Sequence, residues 1–191
     1  MAEVLLFHHA QGLTDGVRVF ADELRTAGHV VHVPDLYDGR TFTDLDEGVG
    51  HAKEIGFDTV LERGRLAAQS LPGDVVYAGL SLGVMPAQLL AQTRPGAKGA
   101  LLLHGSVPLS EFGGVWPQGL PLQIHTMEDD DWGDVEIARE LEVTIPSAEL
   151  FVYPGDAHLF TDSSLAAFDG IAAALVRERV FEFLGGLDRR S

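Results

Sequence analysis

The sequence has no cysteine and no long apolar run, and its N-terminus lacks a basic stretch. Without cysteine there is no disulfide framework and no thiol chemistry, so a cytoplasmic location is the default expectation. The longest apolar runs, residues 4–7 and 100–103, are far shorter than the roughly 20 residues that span a bilayer. We therefore expect neither a secretion signal nor a membrane-spanning segment.

Positive charge is also scarce. The chain has 13 lysine and arginine residues against 29 aspartate and glutamate residues, a formal net charge of −16. A field of this sign repels nucleic acids and anionic membranes and slows the approach of anionic substrates. We expect neither partner, and we expect a monomer or a weak homodimer that acts on a small molecule.

Short apolar runs alternate along the chain with helical patterns. Runs rich in valine, leucine and aromatic residues predict strands at residues 4–9, 29–33, 74–79, 99–104, 120–125 and 149–153. Apolar residues at helical spacing predict helices at residues 17–24, 57–71, 81–92, 137–141 and 165–186. Strict alternation predicts a parallel α/β sheet in strand order 2-1-3-4-5-6, with helices on both faces. The length suits one domain over residues 1–191.

The segment from Gly79 to Gly83 reads Gly-Leu-Ser-Leu-Gly, a G-x-S-x-G pattern. Because it lies between a predicted strand and a predicted helix, it is typical of a nucleophile elbow, which presents the serine above the sheet. The two glycines allow strand and helix to approach closely around the strained Ser81. The alternative is a structural glycine-rich turn, since the chain has 22 glycines.

A serine nucleophile needs a base and an acid that orients the base. His158 follows the last predicted strand, in a loop where it can reach the serine. The acid is expected after the preceding strand, where Asp130 is our choice and Asp129 and Asp131 are the alternatives. The order Ser81, Asp130, His158 is that of the α/β-hydrolase fold. The alternative for His158 is an ordinary surface histidine.

An acyl-transfer site also needs backbone N–H donors for the oxyanion. One is expected from Leu82, the residue after the nucleophile. The other is expected from the loop after the first strand, with Ala10 as the first candidate and Gln11 as the second. In the expected strand order, this loop borders the elbow.

These motifs resemble those of the dienelactone hydrolase family. The matching stretches are residues 8–13, 33–37, 79–83, 127–130 and 153–158, so the resemblance covers most of the chain. It implies a small α/β hydrolase that cleaves an ester or a lactone without a metal or cofactor.

The sequence departs from the family at three positions. This chain resembles the well-known members, but they have a cysteine at the position of Ser81 and a glutamate at the position of His9. They carry an arginine, which binds a substrate carboxylate, where this chain has Asp162. A carboxylate there would repel an anionic dienelactone, so we expect an uncharged ester or lactone.

Several other residues are candidates for the substrate pocket because they follow predicted strands. The candidates are His9, Gln11, Tyr37, Arg40, Trp116 and Trp132. The alternative for the two tryptophans is that they anchor mobile loops. His8, His9, His104 and His125 lie near strand ends, but none is in a metal-binding motif, so we expect hydrogen-bonded histidines and no metal.

The sequence thus predicts a serine hydrolase that forms an acyl-enzyme with a small ester or lactone. A thioesterase or acyltransferase would share that intermediate, and product analysis with a thioester and an added alcohol would separate them. A non-catalytic binding protein of the same fold is the alternative from another class. It would show no burst with p-nitrophenyl acetate.

Overall fold

A computed structural model describes residues 1–188, and six strands in this part of the chain form one sheet. The strands are β1 (Glu3–Phe7), β2 (Val30–His32), β3 (Val76–Leu80), β4 (Gly99–Leu103), β5 (Leu122–Met127) and β6 (Ala148–Tyr153). All neighbouring strands pair in parallel, in the order β2-β1-β3-β4-β5-β6. The predicted order is confirmed, and the predicted bounds agree to within about two residues at each end.

Helices cover both faces of the sheet, as predicted. They are α1 (Asp15–Thr26), α2 (Leu45–Ile55), α3 (Phe57–Gln69), α4 (Val84–Thr93), α5 (Val135–Thr144) and α6 (Gly170–Asp188). Strand residues alternate between the faces: Leu6 and Ala78 pack with α1 and α6, whereas Leu5 and Tyr77 pack with α2 to α5. Each fully buried leucine contributes about 1.5–3 kcal/mol. Within residues 1–188, none of the helices has the length and apolar character required to span a bilayer.

Helix α2 was not predicted from the sequence. It begins after Asp44, whose side chain accepts a hydrogen bond from the Glu47 N–H at 3.1 Å and caps the first turn. Gly48 and Gly50 weaken the helical pattern, and few apolar residues mark its buried face. Gly48 lets the helix lie against the loop after β1, because a Cβ there would sit 2.7 Å from the Ala10 carbonyl carbon.

The predicted start of the last helix is wrong. Helix α6 begins at Gly170, after Asp169, whose carboxylate accepts hydrogen bonds from the N–H groups of Ile171 and Ala172. Leu165 and Phe168 precede the helix, in a segment of turns. The apolar stripe also faces differently: Val176, Val180 and Leu184 are buried, whereas Ile171 and Leu175 are exposed.

The two glycines of α2 give a matched stability test. Gly48→Ala is expected to lower the free energy of unfolding by about 1–3 kcal/mol, because its methyl group would push the helix off Ala10. Gly50 has no neighbour within 4 Å of such a methyl group. Gly50→Ala is therefore expected to raise the free energy of unfolding by about 0.5–1 kcal/mol. Urea denaturation measures both, and equal changes would contradict this packing.

Candidate active site

The turn between β3 and α4 holds Ser81 in a left-handed backbone conformation, with φ of 50°. A short 3-10 turn, Ser81–Gly83, then leads into α4. A Cβ on Gly79 would lie 2.6 Å from the Val84 nitrogen, and one on Gly83 would lie 2.7 Å from the His8 carbonyl oxygen. Both contacts are with backbone, so only glycine fits at either position. The turn therefore has the geometry of a nucleophile elbow.

A continuous chain of hydrogen bonds joins Ser81, His158 and Asp130. Ser81 Oγ lies 2.8 Å from His158 Nε2, and His158 Nδ1 lies 2.8 Å from Asp130 Oδ2. A carboxylate only accepts hydrogen bonds, so Nδ1 carries the proton and Nε2 is free to accept from the serine hydroxyl. Asp130 is 5% exposed, whereas Asp129 and Asp131 are exposed to solvent. Of the three candidate acids, Asp130 is the one that contacts the histidine.

The segment after His158 is packed firmly in place. Leu159 has a left-handed backbone, with φ of 60°, which is rare for a bulky residue. Phe160 is fully buried, and its ring contacts those of His104 and Tyr153 at centroid distances of 4.6 and 5.4 Å. The chain directly after His158 is therefore anchored in the core through Phe160.

His104 lies directly after β4 and beside His158, with ring centroids 6.0 Å apart. Its Nε2 lies 2.7 Å from Thr161 Oγ1. Complete burial holds the pKa of His104 well below its usual value, and the nearby His158 adds to the effect. His104 is therefore a neutral neighbour of the catalytic candidate.

Two buried polar atoms belong to the residues that flank Gly105, which packs against Ser81. Gly105 packs against the serine backbone, because a Cβ on Gly105 would lie 3.7 Å from Ser81 Cα. On either side of Gly105, His104 Nδ1 and Ser106 Oγ are buried and have no hydrogen-bond partner within residues 1–188. Sequence reasoning did not single out Ser106, since a lone serine after a strand carries no signal.

The loop after β1 contains a tight turn around Ala10. The Gln11 N–H donates to His9 Nδ1 at 3.2 Å, and the Gly12 N–H donates to the His9 carbonyl at 3.0 Å. Neither N–H is available to a substrate. Within residues 1–188 the Ala10 N–H has no hydrogen-bond partner. Gln11 is thereby excluded as an oxyanion donor, while Ala10 and Leu82 remain candidates.

His9 and Asp162 bind one another in the interior. His9 Nε2 lies 2.7 Å from Asp162 Oδ2, and both side chains are fully buried. Desolvation alone would raise the pKa of Asp162, but hydrogen bonds from His9, Ser164 and Thr14 outweigh it and lower the pKa to about 2. The expected pocket role of His9 is wrong, because its ring is enclosed. Asp162 likewise presents no carboxylate to a substrate.

Two further pocket candidates, Tyr37 and Gln11, have their polar atoms bonded to the scaffold. Tyr37 is buried, its hydroxyl donates to the Gly48 carbonyl at 3.2 Å, and burial raises its pKa. The Gln11 side chain donates to the Phe42 carbonyl at 3.1 Å and ties two loops together. Both are structural, which corrects the expectation from sequence. Arg40 is exposed, and within the described chain no hydrogen bond joins it to Ser81, His158 or Asp130.

Trp116 is also misplaced by the sequence-based expectation. Its Nε1–H donates to the Leu120 carbonyl at 2.9 Å, just before the amino end of β5. The neighbouring Val115 carbonyl accepts from Gln92, in the last turn of α4, about 15 Å from the elbow by helix length. Trp116 therefore anchors its own loop at the amino ends of the strands, whereas Ser81 lies at their carboxyl ends.

Trp132 does lie at the candidate site. Its backbone N–H donates to Asp130 Oδ1 at 2.9 Å, which fixes the start of its loop. The indole is 6.3 Å from the His158 ring, centroid to centroid, with the planes inclined by 39°. With 47% of its surface exposed, Trp132 offers an apolar wall beside the histidine.

The other histidines at strand ends act as fixed hydrogen-bonding groups. His8 Nδ1–H donates to the His9 carbonyl at 2.8 Å, and its Nε2 accepts from the Leu36 N–H at 2.9 Å. Desolvation lowers the pKa of His8 to about 4 and that of His125 to about 3. In the part of the chain that the structure describes, no three histidine or carboxylate groups gather as metal ligands.

Solved structures with the same fold share little sequence with this chain. A dienelactone hydrolase-like promiscuous phosphotriesterase from metagenomic libraries is 18% identical, with a TM-score of 0.75 over 98% of this chain and 87% of its own. A protein from Thermoplasma acidophilum described as a predicted CIB-like hydrolase is 17% identical, with a TM-score of 0.70 over 96% of this chain and 86% of its own. Thermogutta terrifontis esterase 2, phosphoramylated by tabun, is 19% identical, with a TM-score of 0.63 over 97% and 83%.

Sequence comparison assigns the family directly. A search of curated proteins gave no significant match. The sequence profile of the dienelactone hydrolase family matches residues 1–187, almost the whole chain. The fold agrees, since the sheet order and the elbow are those of α/β hydrolases. The chain therefore belongs to the dienelactone hydrolase family of α/β-fold hydrolases.

Proposed function

We propose that the protein is a serine esterase that hydrolyses small uncharged carboxylic esters or lactones through an acyl-enzyme. The observation that carries the proposal is the hydrogen-bonded chain from Ser81 through His158 to Asp130, with both distances at 2.8 Å. A serine hydroxyl becomes an effective nucleophile when a correctly oriented base takes its proton. The family's hydrolase chemistry agrees with this role.

The reaction begins when His158 Nε2 takes the proton of Ser81 as Oγ attacks the ester carbonyl. Asp130 holds the imidazole in the required tautomer and stabilises its positive charge. His158 then gives the proton to the leaving alkoxide, and the acyl group stays on Ser81. The same nitrogen then takes a proton from water as it attacks the acyl carbon, and His158 returns that proton to Ser81 Oγ as the bond to the acyl group breaks and the acid leaves. General-base catalysis of this kind contributes about 100- to 10,000-fold.

The oxyanion that forms at the carbonyl is assigned to the N–H groups of Leu82 and Ala10. Leu82 follows the nucleophile in the elbow, as this chemistry requires. Gly83 packs against the carbonyl oxygen of His8, which brings the turn around Ala10 next to the elbow. Because the Gln11 N–H is already used by His9, Ala10 is the suitable donor in that turn.

The charges around the site favour an uncharged substrate. The family's carboxylate-binding arginine is replaced by Asp162, which is buried and bonded to His9. Asp129 and Asp131 are exposed on either side of Asp130, and the whole chain carries −16. Two cavities of about 500 and 560 Å³ lie at the amino ends of the strands, away from Ser81. A small ester in an open cleft beside Trp132 fits these observations best.

Covalent labelling tests the nucleophile. A fluorophosphonate is expected to react with the wild-type protein and not with Ser81→Ala, because the proposed nucleophile is then missing. Ser147→Ala, at the amino end of β6, is the matched control and should label normally. Mass spectrometry locates the adduct. Labelling of folded Ser81→Ala, or an unreactive wild-type protein, would overturn the proposal.

Substitution of the acid tests the orientation of the histidine. Asp130→Asn is expected to lower kcat for p-nitrophenyl acetate by about 10,000-fold, because the imidazole then adopts the wrong tautomer. Asp131→Asn is the control, since that side chain is exposed and adjacent. It should keep the wild-type kcat. A large loss in Asp131→Asn with little loss in Asp130→Asn would reassign the acid.

The two tryptophans give a test of the binding cleft. Trp132→Ala is expected to raise KM about tenfold with little change in kcat, which corresponds to ~1.4 kcal/mol of lost binding. Trp116→Ala should leave KM unchanged and lower the melting temperature, because that indole anchors a loop at the far edge. Kinetics with p-nitrophenyl butyrate and thermal melts measure both. A higher KM in Trp116→Ala alone would place the cleft elsewhere.

A further inference from the structure

The buried contact between His9 and Asp162 joins two loops that are far apart in sequence. His9 lies after β1, in the loop that carries Ala10, and Asp162 lies four residues after His158. Their side chains meet at 2.7 Å, and neither is exposed to solvent. The pair therefore connects the proposed oxyanion loop to the loop of the proposed base, although neither residue contacts Ser81.

The hydrogen bonds of His9 fix its tautomer. Nδ1 accepts from the Gln11 N–H at 3.2 Å, so Nδ1 carries no proton. The ring proton is therefore on Nε2, which donates to Asp162 Oδ2. A single neutral imidazole thus holds the backbone next to Ala10 on one side and the carboxylate on the other.

Asp162 is a fixed anchor for this imidazole. Its Oδ2 also accepts from the Thr14 hydroxyl at 2.5 Å, and its Oδ1 accepts from the N–H and the hydroxyl of Ser164 at 2.8 and 2.6 Å. With four donors around it, the carboxylate stays ionised despite its burial, and its pKa is lowered to about 2. Removal of a partner leaves a buried charge unsatisfied, so the arrangement resists displacement.

The anchor is close enough to His158 to control its position. Only three residues separate them, and that stretch contains the left-handed Leu159 and the fully buried Phe160. A strained backbone of this kind persists when its surroundings fix it from several sides. Displacement of Asp162 would therefore move the base as well as the turn at Ala10.

We propose that His9 and Asp162 are a positioning pair, which fixes the Ala10 N–H and His158 relative to each other for acyl transfer. The inference rests on the proposed esterase function and deepens it. A shift of about 1 Å in a reacting group can cost about 100-fold in rate. Loss of the pair should therefore reduce transition-state stabilisation while leaving substrate binding nearly intact.

Two substitutions each keep one half of the bridge. In His9→Asn the side-chain oxygen can replace Nδ1 as acceptor for the Gln11 N–H, but the side chain is too short to reach Asp162. In His9→Gln the side-chain amide can donate to Asp162, but no acceptor remains for Gln11. Asp162→Asn removes the charge and one acceptor from the other side.

All three variants are expected to lower kcat for p-nitrophenyl acetate by about 10- to 100-fold, with KM changed little. A trifluoromethyl ketone, whose adduct with Ser81 carries the oxyanion, should lose affinity by the same factor as kcat/KM. The double variant of His9→Gln and Asp162→Asn should lose no more than the worse single variant, because the two residues act through one contact.

His125→Gln is the matched control. His125 is equally buried and hydrogen-bonded through both ring nitrogens, to Tyr153 and Gln123. The His125→Gln substitution should lower the melting temperature without lowering the affinity for the trifluoromethyl ketone. If the His9 variants fail to fold, Thr14→Val removes one donor to Asp162 and should lower kcat severalfold, whereas Thr14→Ser, which keeps the hydroxyl, should restore it.

The outcomes separate this inference from the esterase proposal. A wild-type protein that does not react with a fluorophosphonate overturns the esterase proposal itself. If the wild type reacts and folded His9→Asn or His9→Gln keeps the wild-type kcat, the positioning pair is overturned while the esterase stands. A fall in kcat with unchanged affinity for the ketone also overturns it, because the oxyanion position would then be intact.

Discussion

The close backbone approach at the elbow is the constraint on which the rest of the site depends. Ser81 is held at φ of 50°, a conformation that costs a non-glycine residue about 1–3 kcal/mol. It is possible because Gly79 and Gly83 leave no side chain between β3, α4 and the end of β1. The same approach that exposes the serine also brings the turn after β1 beside it. The nucleophile and the proposed second oxyanion donor thus arise from one packing arrangement.

Burial separates the histidine that can react from those that support it. Desolvation lowers the pKa values of His8, His104 and His125, so each stays neutral and forms fixed hydrogen bonds within the described chain. His158 is instead oriented by Asp130, with its Nε2 directed to a hydroxyl. Among these four histidines, His158 has the environment required of the proposed base, and the other three belong to the scaffold.

Features with a strong local signature could be predicted from the sequence. The buried strands, their order and the elbow follow from apolar runs and glycine spacing, and the structure has them in the expected places. Helix α2 could not be predicted, because its two glycines and few apolar residues give no helical pattern in the sequence. Packing stabilises it instead. The predicted start of α6 is wrong because Leu165 and Phe168 continue the apolar spacing although they lie in turns before the helix. The cap at Asp169 decides where the helix begins.

Side chains at strand ends were harder to assign, since their roles depend on partners in distant segments. Tyr37 and Trp116 follow strands as pocket residues do, but each uses its polar atom on a backbone carbonyl of the scaffold. No composition or spacing distinguishes such a residue from one that meets substrate. Of the pocket candidates in residues 1–188, Trp132 is the one that combines exposure with a ring contact to His158, as a binding role requires.

His9 and Asp162 show how a departure from family pattern can be read wrongly one residue at a time. Taken singly, Asp162 would repel an anionic substrate and His9 would line the substrate pocket. Together they satisfy each other in the interior, where neither charge nor ring reaches the cleft. With His9 and Asp162 at these two positions, the chain lacks the family's carboxylate-binding arginine and has a buried contact that links the two loops. The proposed preference for uncharged substrates then rests on the missing cation, without any repulsion from Asp162.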